Sequence, residues 1–372
     1  NVVADRRGKE SLAAGFKKSL IAAPGCKLVS ADYSGIEAVF VGWFSGDPDY
    51  IRSAWLGVHA RLTAQSVGKP ANMSWSNERL VEYFHEMKAA HPVPYDRSKR
   101  CIHGTSYGLT PYGMHDRFPE IFPTVKIAQE FQNQIFAMEP KMKLWHHRVR
   151  EHAHEQHYLG GVGAHPFGYK HWFWDVYHYS TINETTAVYR EKNNLPWARL
   201  KGKAYKIDLG EDAKRCIAFF PQSAAAGKMK EDALELWDTE SEWYIGDAWF
   251  GQTPLRAIVH DEFLLEVPDG LVDQVTRKLL AVMGREITQM PCPEEWVLGP
   301  FLRVGATVKV GQSWGEMQEL ASYTPGLGTK TGLAGELGDG IEYDLAGELE
   351  ETEAESDYAY SRHGRESEAE PF

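Results

Sequence analysis

The 372-residue sequence contains no run of eighteen apolar residues, so no transmembrane helix is expected, and its first ten residues, NVVADRRGKE, hold no apolar core of the signal-peptide kind. Cysteine is scarce: Cys26, Cys101, Cys216 and Cys292 lie far apart with no C-x-x-C pair. That excludes a disulfide framework and a cysteine zinc site and fits a reducing cytoplasm. Internal repeats are absent. An excess of basic charge is missing too, since the net charge is -12. The deficit is local, because residues 321–372 carry 13 Asp or Glu against three Lys or Arg and so hold ten of those negative charges. The first 320 residues are close to neutral and do not exclude a nucleic-acid partner. The Gly- and Glu-rich tail cannot bury enough apolar surface to offset its ordering entropy, so 321–372 is expected to be disordered, as a solubilising tail or an internal polyanion.

What is present centres on LRAIVHDEFLLEVPD, residues 255–269. Ala257 to Val259 and Phe263 to Val267 are rich in β-branched and aromatic residues and read as two strands of a hairpin, with His260, Asp261 and Glu262 at the bend. Adjacent carboxylates on a rigid edge suit a divalent cation if a partner carboxylate exists, and otherwise form a solvated acidic turn. Lys27 to Tyr33, KLVSADY, is a second β-like run ending at Asp32.

From Ser34 the spacing turns helical, with Ile36, Phe40 and Phe44 on one stripe, Glu37 in the first turns and a stop at Gly46 and Pro48. Further helices are expected at Asp49 to Trp55, Val58 to Val67 with His59, and Ser76 to His91. In YDRSKRCIHGTSYG, Lys99, His103 and Tyr107 recur every four residues and share a face, while Gly104 and Gly108 would let something flat approach. One long helix is expected from Val125 to about Gln156, and its five histidines between His146 and His157 do not converge as metal ligands. The aromatic-dense Pro166 to Tyr179, with Lys170 and His171, suits base stacking or a satellite core. Helix Glu211 to Trp237 carries Lys214, Arg215, Gln222 and Lys228, and its small residues Ser223 to Gly227 suggest close contact with a partner. A helix Leu271 to Ile287 and a strand Leu302 to Gly311 follow.

Three of these stretches resemble, in order, motifs of the family A DNA polymerases, the bacterial DNA polymerase I type: Asp32 to Glu37 resembles motif A, Lys99 to Gly108 motif B, and Val259 to Glu262 motif C. The likeness covers residues 15 to 320, and FFPQSAAAGKM looks most like phage members. It implies an α+β palm, an antiparallel sheet with flanking helices, in two parts (1–58 and 206–320), with helical fingers inserted at 59–205. The implied activity is template-directed DNA synthesis from dNTPs with two Mg²⁺ ions, or Mn²⁺, in a chain acting as the C-terminal part of a larger or split enzyme of DNA replication. Primer-template DNA and a polypeptide supplying thumb and exonuclease are the implied partners. The other reading is a catalytically weak or dead DNA-binding scaffold.

On this resemblance Asp32 and Asp261 bridge the ions, the Tyr33 carbonyl is a further ligand and Glu262 is accessory. Two carboxylates about 4 Å apart repel by about 4 kcal/mol at an effective dielectric of 20, so such a pair suits cations between them. Lys99 and His59 would meet the triphosphate, and His103 takes the place of the aromatic beside the sugar. Glu37, bonded to Tyr107, would bar a ribose 2′-hydroxyl, which argues against RNA synthesis. Arg215, Gln222 and His260 would follow the primer-template minor groove. The sequence departs from the pattern at Tyr95 (usually arginine), Val39 (arginine) and Phe219 (asparagine), and the thumb, first palm segment and proofreading domain have no counterpart.

Overall fold

The structure, a computed structural model, describes residues 12–192, 196–241, 243–245 and 254–331. Helix α1 (Leu12–Ser19) leads into strand β1 (Cys26–Ser34). Gly35, at φ 67°, turns the chain into α2 (Ile36–Ser45), and Gly46, at φ 72°, ends that helix in a conformation that a Cβ disfavours. The Asp47 carboxylate accepts from the Tyr50 amide to cap α3 (Pro48–Leu56), where Pro48 sits in the first turn and its missing N–H costs nothing. Helices α4 (Val58–Ser66), α5 (Asn77–Ala90), α6 (Pro92–Ser106), α7 (Pro111–Arg117), α8 (Val125–Met138) and α9 (Pro140–Gln156) follow. The single helix expected from Val125 to Gln156 is therefore corrected. Pro140 has no N–H to donate and its ring would strike the carbonyl four residues back, so the chain breaks at Glu139 and restarts.

Strands β2 (Tyr158–Gly160) and β3 (Lys170–Trp172) pair as a hairpin. Then β4 (Tyr177–Ile182), α10 (Glu184–Lys192), β5 (Trp197–Leu200) and β6 (Lys203–Leu209) build a three-stranded sheet ordered β4-β6-β5 with one helix. The segment 59–205, expected to be helical, thus also carries strands. Helix α11 (Asp212–Trp237) runs 26 residues through Pro221, and two residues on the Ser223 hydroxyl donates to main-chain carbonyls at Phe219 and Phe220. Strands β7 (Leu255–Val259) and β8 (Glu262–Pro268) form the central hairpin. Helix α12 (Val272–Gly284) stops short of the expected Ile287, which instead opens β9 (Ile287–Pro291), paired with β10 (Phe301–Leu302).

The chain closes with β11 (Gly305–Ser313), β12 (Glu316–Thr324) and β13 (Gly328–Thr331). Residues 321–331, assigned above to a disordered tail, are therefore sheet, with Tyr323 only 6% exposed. Residues 332–372 lie outside the described residues.

The main sheet is antiparallel throughout, in the order β13-β12-β11-β1-β8-β7. Its alternation separates two faces. Val29, Ala31 and Tyr33 of β1 share one face with Phe263 and Leu265 of β8 and with Ala306 and Val308 of β11, all buried in the core that includes residues of α2, α11 and α12. Burial of a side chain such as Phe263 contributes roughly 1.5–3 kcal/mol. Ser30, Asp32 and Ser34 occupy the opposite face, with Glu262 and Thr307 directly across from Asp32. A second apolar cluster holds α4 and α6–α9 together with the first half of α11. No helix among the described residues is long and apolar enough to cross a membrane.

Candidate active site

The acidic corner is assembled by β1 and the β7–β8 turn. His260 takes a left-handed conformation (φ 57°) to make that turn, and the Tyr33 amide donates to the Asp261 carbonyl at 3.2 Å, which fastens the turn to β1. Asp32 and Asp261 are drawn together. Burial, then the charges of Asp261 and Glu262, push the Asp32 carboxyl up to about 7, against a smaller pull from Lys309 and Lys17. Asp261 is also raised, chiefly by burial. Glu262 is differently placed, since its Oε1 accepts from Ser30 Oγ (2.5 Å) and Trp314 Nε1 (2.7 Å), and Lys17 Nζ lies 3.7 Å from Oε2. Its carboxylate is already engaged on both oxygens.

Could this corner hold cations? Among the described residues no group of three or more His, Cys, Asp or Glu side chains is arranged as a metal site. Two carboxylates whose pKa values are raised chiefly by burial, beside the Tyr33 carbonyl that accepts from Gly35 N–H (3.1 Å), nevertheless form a hard oxygen donor set. Such a set fits Mg²⁺, which usually keeps water or substrate phosphate for its remaining positions.

Beside the corner lies a cleft of about 620 Å³ whose wall includes Glu37, His59, His103, Tyr107, Gln222, His260 and Asp261. The Tyr107 hydroxyl donates to Glu37 Oε2, and burial followed by the Glu37 charge pushes that phenol well above its ordinary range. His103 meets the Tyr107 ring edge-on at 5.1 Å. The cleft continues into a second one of about 530 Å³, which shares His59, His103 and Tyr107 and adds the cations Lys99, Arg100, Arg117 and Lys214. Burial and the neighbouring Lys99 push His59 down to about 4, so it is neutral at pH 7, and its buried Nδ1 has no hydrogen-bond partner.

The structure thus brings together Glu37, His59, Lys99, His103, Tyr107, Gln222, His260 and Asp261 along one continuous cleft, with Asp32, Tyr33 and Glu262 on the sheet beside it. Arg215 lines neither cleft and pairs with Asp212 at 3.4 Å. Arg100 and Arg117 are not among the residues that the sequence reading assigned to the site. Arg100 is one residue past Lys99 and gave the only sequence signal, whereas Arg117 arrives through the fold of α7. Tyr95 stands edge-on to His59 at 6.2 Å, and Arg97 is spent on the Ile121 carbonyl.

Three expectations are corrected here. A Cβ on Gly104 would meet Leu109 and Met114, and one on Gly108 would meet Arg150 and Ile217, so the missing side chains make room for the protein's own, although Gly104 also lines the second cleft. Gly227, in the small-residue run of α11, packs on Phe167 of the same chain. Lys228 is no surface cation. It is 1% exposed, and its Nζ donates to Asp232 and to the Val282 carbonyl (3.1 Å). The Tyr33 hydroxyl donates to the same Asp232 oxygen, and Arg285 lies 3.3 Å from the other, which forms a charged cluster directly behind the strand that carries Asp32.

No family model matches the chain. It is 22% identical over 308 residues to DNA polymerase I of Chloroflexus aurantiacus, covering 82% of this chain and 26% of that protein. Its structure is similar, at a TM-score of 0.54 and 20% identity, to the polymerase domain of Pol1 from M. smegmatis in complex with DNA primer-template and dNTP, covering 85% of this chain and 44% of that one. The fold is that of a DNA polymerase domain, and the chain spans about a quarter of the length of the curated relative.

Proposed function

We propose that the chain is the palm (1–58 and 206–320) and fingers (59–205) of a template-directed DNA polymerase of DNA replication, of phage type and working in the cytoplasm. The observation that carries this is the cleft that joins the acid pair to a cluster of cations through the Glu37–Tyr107 pair. Asp32, Asp261 and the Tyr33 carbonyl are the residues that would hold two Mg²⁺ ions. When bound, such ions acidify an attacking hydroxyl and neutralise a leaving pyrophosphate.

The protein's own side chains do the rest. Lys99, with Arg100, Arg117 and Lys214, draws the triphosphate into the second cleft, and neutral His59 offers a hydrogen bond to it. His103 and Tyr107 face the sugar and base. Gln222, with Arg215 and His260, follows the minor groove of the primer-template, where hydrogen-bond acceptors are common to all pairs. Engaged by Ser30, Trp314 and Lys17, Glu262 shapes the field at Asp32. Primer extension with Mg²⁺ and dNTPs, with and without a thumb-bearing polypeptide, tests the reading; no incorporation under either condition sinks it.

Glu37 is expected to select the sugar. Held against Tyr107 at the wall of the cleft, its carboxylate is, on this reading, the group that a ribose 2′-hydroxyl would meet. Glu37→Ala should raise the ratio of ribo- to deoxyribonucleotide incorporation at least tenfold while lowering total activity. An unchanged ratio in single-nucleotide incorporation assays counts against the gate.

Phosphate contacts supply most non-specific DNA affinity in proportion to their number. A nearly neutral palm and fingers should therefore bind primer-template weakly by itself and lose it steeply as salt rises, and a thumb-bearing polypeptide should tighten binding more than deletion of residues 332–372, which spares β12 and β13, does. Fluorescence anisotropy across 50–200 mM salt reads both terms. Processive extension by the 372-residue chain alone at physiological salt excludes this need for a partner.

A further inference from the structure

The aromatic-rich stretch after α9 divides cleanly between core and surface. On the β2–β3 hairpin, Leu159 and Phe173 are each 1% exposed, and His171 and Phe173 pack on Phe219 of α11 with ring centroids 6.0 Å away. The residues on either side of Phe173 point the other way. Trp172 and Trp174 are 50% and 71% exposed and stack with planes 5° apart and centroids at 5.7 Å, and His157 stacks on Trp174 at 5.4 Å. Rings in van der Waals contact are about 3.5 Å apart in the perpendicular direction, so a 5.7 Å separation means a sideways offset of roughly 4.5 Å. The indoles form a staircase, each tread partly open to solvent.

The staircase is held rigidly. The Trp174 amide donates to Asp212 Oδ2 at 2.9 Å, the Asp175 amide donates to the same oxygen at 3.1 Å, and the Phe173 amide donates to the His157 carbonyl at 2.8 Å. Asp175 in turn accepts from the Glu211 amide (2.9 Å) and faces His178 (3.2 Å). The two carboxylates beside the rings are thereby committed to the scaffold. The cation is not so bound: Lys170 Nζ rests 3.8 Å over Tyr158 and 4.6 Å over Trp172, a position it can leave for a phosphate.

We infer that Trp172 and Trp174, with Lys170, Tyr158 and His157, form a stacking platform for unpaired DNA. Open indole faces accept bases of any sequence, and a nearby lysine answers the backbone charge. A duplex cannot use such a surface, because its bases already stack on one another. The hairpin that carries the platform is anchored close to the cleft, since its inner face locks onto Phe219, less than one helical turn before Gln222 on α11. On the polymerase reading, on which this assignment of the strand rests, the occupant is the single-stranded template.

The test is fluorescence anisotropy of labelled oligo-dT and of a blunt duplex against the full chain, at fixed low salt. Each stacked base contributes roughly tenfold in affinity. The Trp172→Ala/Trp174→Ala double variant should therefore lose at least tenfold on oligo-dT and less than twofold on the duplex. Trp172→Phe, which keeps a stacking face, should lose less than threefold and guards against misfolding of the double variant. Lys170→Glu should weaken oligo-dT binding and flatten its salt dependence. A loss below twofold on oligo-dT, an equal loss on duplex, or a wild type that ignores oligo-dT but self-associates through these tryptophans in sedimentation overturns the inference. Extension on a primed template is read separately, so a chain that extends primers normally with oligo-dT binding unchanged by the substitutions sinks the platform and leaves the polymerase reading standing.

Discussion

Replacing Asp32 by asparagine is expected to abolish nucleotide incorporation and, at pH 8 in EDTA, to raise the melting temperature of the chain. The first effect follows from the donor set. On the proposed reading Asp261 and the Tyr33 carbonyl are the other ligands, and loss of the Asp32 carboxylate would leave too little negative charge to hold two divalent ions. The second follows from the Asp32 carboxyl standing at about 7 against an ordinary 3.8. Between those values the native chain binds a proton that the unfolded chain does not, so wild-type stability falls as pH rises across that window and levels off above about 7. Asparagine cannot ionise and escapes the penalty. Some three pK units correspond to about 4 kcal/mol at most, and discounting for the solvent that reaches the carboxylate leaves roughly 1–2 kcal/mol, or about 2–3 °C. The gain should vanish by pH 4. Retention of more than a tenth of wild-type primer extension, or a lower melting temperature at pH 8, refutes the placement of Asp32 in a charge-frustrated cation site.

The strand-forming runs around Asp32 and Asp261 are legible in the sequence because β-branched and aromatic residues crowd into short stretches, and β1, β7 and β8 lie within two residues of where those runs put them. Misreadings cluster where a local pattern was overruled by one residue or by a distant partner. Pro140 interrupts an otherwise continuous helical spacing. Residues 321–331 look like the start of a polar tail, yet Tyr323 finds a buried place near Gly284 and Gly305, and β12 and β13 follow from it. The engagement of Glu262 by Trp314 joins residues 52 positions apart, and the Tyr33–Asp232 bond joins residues 199 apart. No periodicity announces such contacts.

The cluster behind Tyr33 supplies the largest stability effect expected. Lys228→Met should destabilise the chain by about 3–5 kcal/mol, because it leaves the Asp232 carboxylate, 0% exposed, with only the Tyr33 hydroxyl and the partly exposed Arg285 to answer its charge. For a body of this size that is about 5–8 °C in melting temperature by circular dichroism. The cost comes from stranding a charge rather than from losing a favourable bond, since burial already pushes the Lys228 amine down against the pull of Asp232. Removing both partners therefore discriminates. Lys228→Met/Asp232→Leu should recover most of the lost stability, as apolar replacements of buried ion pairs often do. Its incorporation rate should still stay several-fold below wild type, because the Tyr33 hydroxyl loses the acceptor that holds it behind Asp32. A Lys228→Met variant within 1 kcal/mol of wild type means that water reaches Asp232. A double variant that recovers both stability and rate means that the cluster supports the fold alone and leaves the position of Asp32 to the backbone pairing of β1 with β8 and β11.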